Sequence, residues 1–419
     1  MTPPGGMRDL LPPASMTRTL LWQRLMETFD RYGYQRVTTP PFEYADVIER
    51  GLETTDRKDL LRFVEPDSGE VALLRPDITP QIARIIATRL QDRPSPWRLS
   101  YEGTVVRRRR GRARRQHQVL QCGVELVGLK GPEADAEVIE VAVRACEGVG
   151  LEDFLVELAQ VKIGAEVLEH VPLAARDAVI DTLAAKDATN LERLLKRAGL
   201  VANERKRLRA LCDLYGDRSV VADARRRLRN QEAKRALDEL ERVVDRLEAI
   251  GLGQRIAIDL SDLRRQAYYT GVSMTLLAEG PGEPLGLGGR YDHLLGRYDA
   301  PSPATGFAFE VDNVLWALTD AGVSLKDNLP LRVLVAGGSP ARRRAAASVW
   351  RAQGARVAAV AAKQLADARH YAKAWDYDVL AWQQRGGTRL TRLSDGKSRT
   401  MNGEPDTSTV SWARNGNES

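Results

Sequence analysis

The apolar positions of this chain fall into two alternating patterns, helical stripes and short β-like runs. Leu20, Leu21, Leu25, Met26 and Phe29 lie on one helical stripe, and Gly33 stops it. A strand broken by prolines follows over 34–43. Residues 71–74 form a short strand, and Ile82, Ile85, Ile86 and Leu90 mark a helix beginning at Pro80. The runs 101–106 and 119–127 predict two strands around a basic loop, an antiparallel hairpin. The stretch 133–149 reads as a helix with Val138, Ile139, Val141, Ala142 and Cys146 toward a core, and 154–163 as another strand.

From 165 to 251 the pattern is helical, with helices predicted over 175–184, 188–198, 204–214 and 231–250. In the last of these Leu237, Leu240, Val244, Leu247 and Ile250 keep helical spacing, and Asn230 is placed as the N-cap. Strand patterns return at 255–260 and 268–277. Residues 285–292 read as a glycine-rich bend, and 303–312 leads into a helix through Leu318. After a linker at 326–329 come a strand at 332–336, a helix opened by Ser339-Pro340, a strand at 356–360, a helix at 366–375 and a strand at 378–382. Residues 402–419, rich in Asn, Gly, Ser and Thr, predict a disordered tail. The organisation is α+β: a sheet domain in two pieces, 1–164 and 252–325, a helical insertion at 165–251, and a small C-terminal α/β domain at 331–400.

Composition narrows the class without naming it. The chain has 419 residues, 43% hydrophobic and 29% charged, enough for more than one core. The net charge of +6 is partly local, because 107–115 holds seven arginines in nine residues. Such a loop permits contact with nucleotides or nucleic acid without demanding it, and a solvated hairpin tip is an equal reading. Cys122, Cys146 and Cys212 lie far apart, with no metal-ligand spacing, so neither a disulfide framework nor a metal site is expected. The first residues lack an apolar signal core, and no apolar run is long enough to span a bilayer. The chain reads as cytoplasmic.

The candidate chemistry lies on the hairpin. Gln121 and Glu125 are an even number of residues apart, so a regular strand projects both from one face. A carboxylate and an amide on one sheet face, beside an arginine, can grip a small polar zwitterion. Asp77 and Thr79 sit at a strand-to-helix junction, where a rigid sheet often positions function; an Asp/Thr helix cap is the plainer alternative.

Here a resemblance appears. Residues 98–128 resemble motif 2 of a class II aminoacyl-tRNA synthetase of the histidyl type, with Arg107 at the motif arginine and Arg115, Gln121, Gly123 and Glu125 also matching. Leu74-Arg75-Pro76-Asp77-Ile78-Thr79-Pro80-Gln81-Ile82-Ala83-Arg84 and the block from Arg264 through Tyr268-Tyr269-Thr270-Gly271 fit as well. The wording of the Arg75–Arg84 block is closer to a paralogous family, the regulatory subunits of ATP phosphoribosyltransferase. The resemblance implies a class II synthetase-like antiparallel sheet domain and a degenerate anticodon-binding-like C-terminal domain. It also implies a histidine pocket of Asp77, Thr79, Arg107, Gln121, Glu125, Arg264, Tyr268 and Tyr269.

Three departures bear on function. Arg109 stands where the synthetases carry the glutamate that reads adenine. Asn313, after Asp312, stands where they carry the motif 3 arginine that holds the γ-phosphate. Ala267 replaces an aspartate of the histidine-specific block. Amino-acid activation relies on positioning and charge stabilisation, so these losses count against it. The expectation is a regulatory subunit with no catalytic residues, metal or cofactor. It would bind histidine as effector and join short-form ATP phosphoribosyltransferase catalytic subunits as a homodimer within a hetero-oligomer, with no membrane or nucleic-acid partner. Two alternatives predict different chemistry: a true histidyl-tRNA synthetase, and an RNA-binding paralogue whose affinity would be salt-sensitive.

Overall fold

A computed structural model describes residues 1–51, 60–107, 117–228, 231–263, 269–325 and 329–415. The chain divides into two compact units, Met1–Asp9 with Arg18–Ser324, and Leu10–Thr17 with Leu325–Ser419.

The first unit is built on the hairpin. Trp97–Val106 and Gln118–Val127 pair antiparallel along their full length, from Trp97 opposite Val127 to Val106 opposite Gln118. They lie in a nine-stranded sheet. Its spatial order is Gln35–Val37, Trp97–Val106, Gln118–Val127, Ala304–Glu310, Gly286–Arg290, Val272–Leu277, Leu155–Gln160, Ile256–Asp259 and Tyr215–Gly216. Neighbours run antiparallel except Gln35–Val37 beside Trp97–Val106 and Leu155–Gln160 beside Ile256–Asp259. A second, three-stranded sheet holds Phe42–Tyr44, Val71–Leu74 and Arg62–Val64.

The two faces of the large sheet are chemically distinct. On one, Cys122, Val124 and Leu126 are fully buried, as are Phe309 and nearly all of Phe307. The helix Ala14–Arg31 brings Phe29 onto this face, with ring centroids 5.7 Å from Phe307 and 6.5 Å from Phe309. The helix Pro132–Gly148 buries the apolar stripe that its spacing predicts, including Val138, Ile139, Val141 and Ala142. Burial pushes the Cys122 and Cys146 thiols up, as suits inert packing residues. The opposite face carries Gln121, Gly123 and Glu125.

Several elements differ from the periodicity reading. The glycine-rich 285–292 segment is not a bend: Gly286–Arg290 is a central strand. A Cβ at Gly288 would lie 2.5 Å from both the Gly306 carbonyl oxygen and the Phe307 Cβ. The glycines therefore serve close strand packing rather than a turn. The strand expected over 154–163 ends at Gln160, and Val161–Leu168 is helix. The insertion contains a further short helix, Ser219–Arg227, and packs Leu237, Leu240, Val244 and Leu247 of Gln231–Ala249 inward. Asn230 lies outside the described residues.

The helix Thr79–Arg89 is fixed to the sheet by Arg75. The Arg75 side chain is buried and donates from Nε to the Thr104 carbonyl at 2.8 Å. Its Nη1 donates to the Thr39 carbonyl at 3.0 Å, the Thr39 Oγ1 at 2.5 Å and the Pro40 carbonyl at 3.1 Å. Gln81 Nε2 donates to the same Pro40 carbonyl at 3.0 Å, and Arg84 pairs with Glu43 at 2.7 Å. Burial pulls the Arg75 guanidinium below its usual range. Gly103 makes room for it, since a Cβ there would land on Nη2.

The second unit has a five-stranded sheet in the order Arg356–Val360, Arg332–Gly337, Val379–Gln384, Gly387–Arg392 and Ser398–Met401. The first three are parallel and the last two join antiparallel. Ser339 caps the helix Pro340–Ala352, accepting from the Arg342 amide at 3.3 Å. The expected tail from 402 is corrected in part: Thr407–Asn415 is a helix. Trp412 and Ala413 are buried with Trp350 and Leu390 in the unit's core. Arg392 Nη1 donates to the Trp412 carbonyl at 2.6 Å, and the Arg399 guanidinium lies 4.7 Å from the Trp412 ring centre. Trp412 anchors this polar segment, because an aromatic side chain buries a large apolar area.

The Gly103–Arg75 approach yields a stability test. Gly103→Ala should lower unfolding free energy by about 1–3 kcal/mol, the cost of overpacking. Gly5→Ala, where a Cβ meets nothing within 4 Å, should stay within about 0.5 kcal/mol. Urea midpoints of the two variants measure the difference.

Candidate functional site

The hairpin register lays out the site as a grid. Gly103, Gln121 and Glu310 lie side by side across three strands, then Tyr101, Gly123 and Ala308, then Leu99, Glu125 and Gly306. Leu287 extends the middle row beside Ala308, and Gly289 the last row beside Gly306. Small residues at the centre leave a cavity of about 100 Å³, lined by Asp77, Thr79, Arg107, Gln121, Glu125 and Tyr269 among others. Of the eight residues expected in a histidine pocket, these six converge on it. Arg264 and Tyr268 lie outside the described residues, as do Ala267, Arg109 and most of the arginine loop.

Glu125 is the centre of the cavity's polar wall. It is 2% exposed, and its Oε1 accepts from Thr79 Oγ1 at 2.7 Å and from the Tyr101 hydroxyl at 3.2 Å. Tyr291 donates to its Oε2. Burial pushes the Glu125 carboxyl well above its usual range, and the nearby Asp77 carboxylate pushes the same way, while the Thr79 and Tyr101 hydroxyls pull back. A cation entering the cavity acts in the opposite direction to burial, favouring the ionised form.

Beside it, Gln121 bridges opposite charges. With its amide oriented to satisfy both ends, Nε2 donates to Asp77 Oδ1 at 3.2 Å and Oε1 accepts from Arg107 Nη2 at 2.9 Å. Asp77 Oδ1 also accepts from the Ile78 amide at 2.7 Å, so Asp77 braces the first turn of the helix Thr79–Arg89 while facing the cavity. Thr79 does not cap that helix: its hydroxyl is committed to Glu125. Arg107 closes the hairpin, donating from its amide to the His117 carbonyl at 2.8 Å. Its guanidinium lies 3.8 Å from Glu310 Oε1, and its Nε is buried with no acceptor among the described residues.

The wall therefore offers carboxylates at Asp77 and Glu125 and a guanidinium at Arg107, with an amide between. This arrangement suits an α-amino acid, its ammonium toward the acids and its carboxylate toward the arginine. Tyr101, Tyr291 and Glu310 are site residues that local pattern did not single out. Tyr101 could have been found, since it shares the face of Glu125 once the hairpin register is set. Tyr291 follows the strand Gly286–Arg290 and Glu310 ends its own strand, with no local signal at either. Among the described residues no group of His, Cys, Asp and Glu could hold a metal ion, and no helix is long and apolar enough to cross a membrane.

The fold is that of a class II synthetase-like domain, and the family model described as histidyl-tRNA synthetase matches residues 6–314. Within that class the chain belongs to the family of ATP phosphoribosyltransferase regulatory subunits. It is 36% identical over 406 residues to one named so from Syntrophotalea carbinolica, covering 95% of this chain and 94% of that one. It is 43% identical over 320 residues to another from Anaeromyxobacter sp. Fw109-5, covering 76% and 93%. A solved structure from Bacillus halodurans, described as an ATP phosphoribosyltransferase regulatory subunit/histidyl-tRNA synthetase, superposes with a TM-score of 0.77 at 28% identity, covering 91% and 97%. The histidyl-tRNA synthetase of Nostoc sp. PCC 7120 shares the fold, at TM-score 0.78 and 20% identity over 96% of each chain.

The raised Glu125 pKa has a sign that can be checked. The folded state holds this proton to a higher pH than the unfolded chain does, so stability falls as pH rises from the ordinary carboxylate pKa toward the folded one. Melting temperatures across pH 4–8 should decline less for Glu125→Gln than for the parent protein.

Proposed function

We propose that this chain is a non-catalytic subunit that activates a short-form ATP phosphoribosyltransferase and makes it sensitive to histidine. The observation that supports the reading is a retained amino-acid-sized pocket beside an altered nucleotide side. Position 313, where the resemblance expects an arginine for the γ-phosphate, carries an asparagine that is 3% exposed. Its Nδ2 donates to the Pro284 carbonyl at 2.8 Å and to Glu310 at 3.1 Å, so the amide is spent on structure. A chain that binds the amino acid without a complete phosphate clamp can report histidine without consuming it. For the report to become inhibition, histidine must bind two states of the complex with different affinity. The same reading makes the chain a homodimer within a hetero-oligomer.

The test is phosphoribosyl-ATP formation by the same organism's short catalytic subunit, with and without this chain, across a histidine titration. Activation that histidine reverses is the expected outcome. Histidine-dependent ATP–pyrophosphate exchange by this chain alone would instead make it a synthetase, and salt-sensitive RNA binding indifferent to histidine would favour the RNA-binding paralogue. Asp77→Asn and Glu125→Gln should each raise the half-inhibiting histidine concentration roughly tenfold to a hundredfold, as removal of a charged hydrogen-bond partner does. Co-sedimentation with the catalytic subunit should be unchanged in both.

A further inference from the structure

Arg107 is served unevenly. One of its terminal nitrogens is bound by Gln121 at 2.9 Å, but the same nitrogen stands 3.8 Å from Glu310 Oε1, beyond hydrogen-bond reach. Its Nε is buried without an acceptor among the described residues. An arginine with an unfilled Nε and a loosely held counter-charge is prepared for a carboxylate that takes Nε and Nη2 together, which is the stronger, bidentate arrangement. Glu310 is kept from that position by its other contacts. Its Oε2 accepts from Asn313 Nδ2 at 3.1 Å, and Asn313 is itself tied to the Pro284 carbonyl at 2.8 Å. Glu310 is also the last residue of its strand, opposite Gln121, just where the helix Val311–Asp320 begins. Asp312 in that first turn pairs with Arg8 at 2.8 Å, so the junction is held from outside the pocket as well.

We infer that Glu310 is an internal competitor for Arg107 that sets the pocket's selectivity for a free carboxylate. In the empty pocket Glu310 neutralises the guanidinium. An incoming carboxylate takes over Nε and Nη2 and meets Glu310 as a like charge. Glu310 therefore lowers affinity for every carboxylate-bearing ligand while leaving the ammonium end, at Asp77 and Glu125, untouched. The inference rests on the amino-acid reading of this pocket and adds a residue that the reading did not contain.

The experiment is isothermal titration of the full-length parent protein, Glu310→Gln and Glu310→Ala, each with histidine and with histamine, which lacks only the carboxylate. Glutamine keeps an acceptor for Asn313, so Glu310→Gln removes the charge and little else, and matched melting temperatures confirm that the variants fold. Removing a partly exposed like charge should tighten histidine about threefold to fivefold in both variants. Histamine should change less than about twofold, so the histidine-to-histamine preference rises. An unchanged or lower preference in Glu310→Gln overturns the assignment while leaving the pocket reading intact. If the parent protein binds neither ligand, the pocket reading falls and this inference falls with it.

Discussion

A buried carboxylate governs the architecture around the pocket. Glu125 is almost fully buried on the cavity face of its strand, so bulk water does little to solvate a charge there. Such a group must be hydrogen-bonded or neutral. The hydroxyls of Thr79, Tyr101 and Tyr291 come from a helix start, a neighbouring strand and the loop after a distant strand, and each is committed to this one side chain. Gly306, directly opposite Glu125, has to be glycine because a Cβ would sit on the carboxylate itself. Three separate chain segments thus meet on one carboxyl group.

The Arg75–Arg84 segment divides its work between framework and pocket. Arg75, Gln81 and Arg84 bind the segment Thr39–Glu43 and lock the helix to the sheet. Asp77 and Thr79, lying between them in sequence, face the cavity. The division follows from geometry: at a strand-to-helix junction the backbone turns, and successive side chains leave in different directions. Because one segment does both jobs, Asp77 and Thr79 are positioned by the hydrogen-bonded framework around the buried Arg75.

Charge is similarly arranged in layers from the pocket outward. Asp77 is joined through Gln121 to Arg107, Arg107 faces Glu310, and Glu310 is held by Asn313. An asparagine at this last position can brace a carboxylate but cannot hold a phosphate by charge. In the proposed function, that single exchange of chemistry shifts the neighbourhood of Arg107 from nucleotide handling to ligand sensing. The second unit contributes a separate core, closed by Trp412 against Trp350 and Leu390.

The sequence by itself determined the long amphipathic helices, the hairpin and the shared face of Gln121 and Glu125, because periods of 3.6 and 2 are local properties of the chain. It also carried enough consecutive motif residues to indicate the family and six of the pocket positions. It did not reveal that 286–290 is a strand, since glycines that permit close strand approach look the same locally as glycines that permit a turn. It did not reveal the terminal helix, whose order depends on one tryptophan reaching a core made elsewhere. Tyr291 became a site residue only through a hydrogen bond across 166 positions of chain, and Glu310 only through strand pairing across 189. Tertiary structure alone decided those contacts, because hydrogen bonds between distant segments leave no periodic trace in either one.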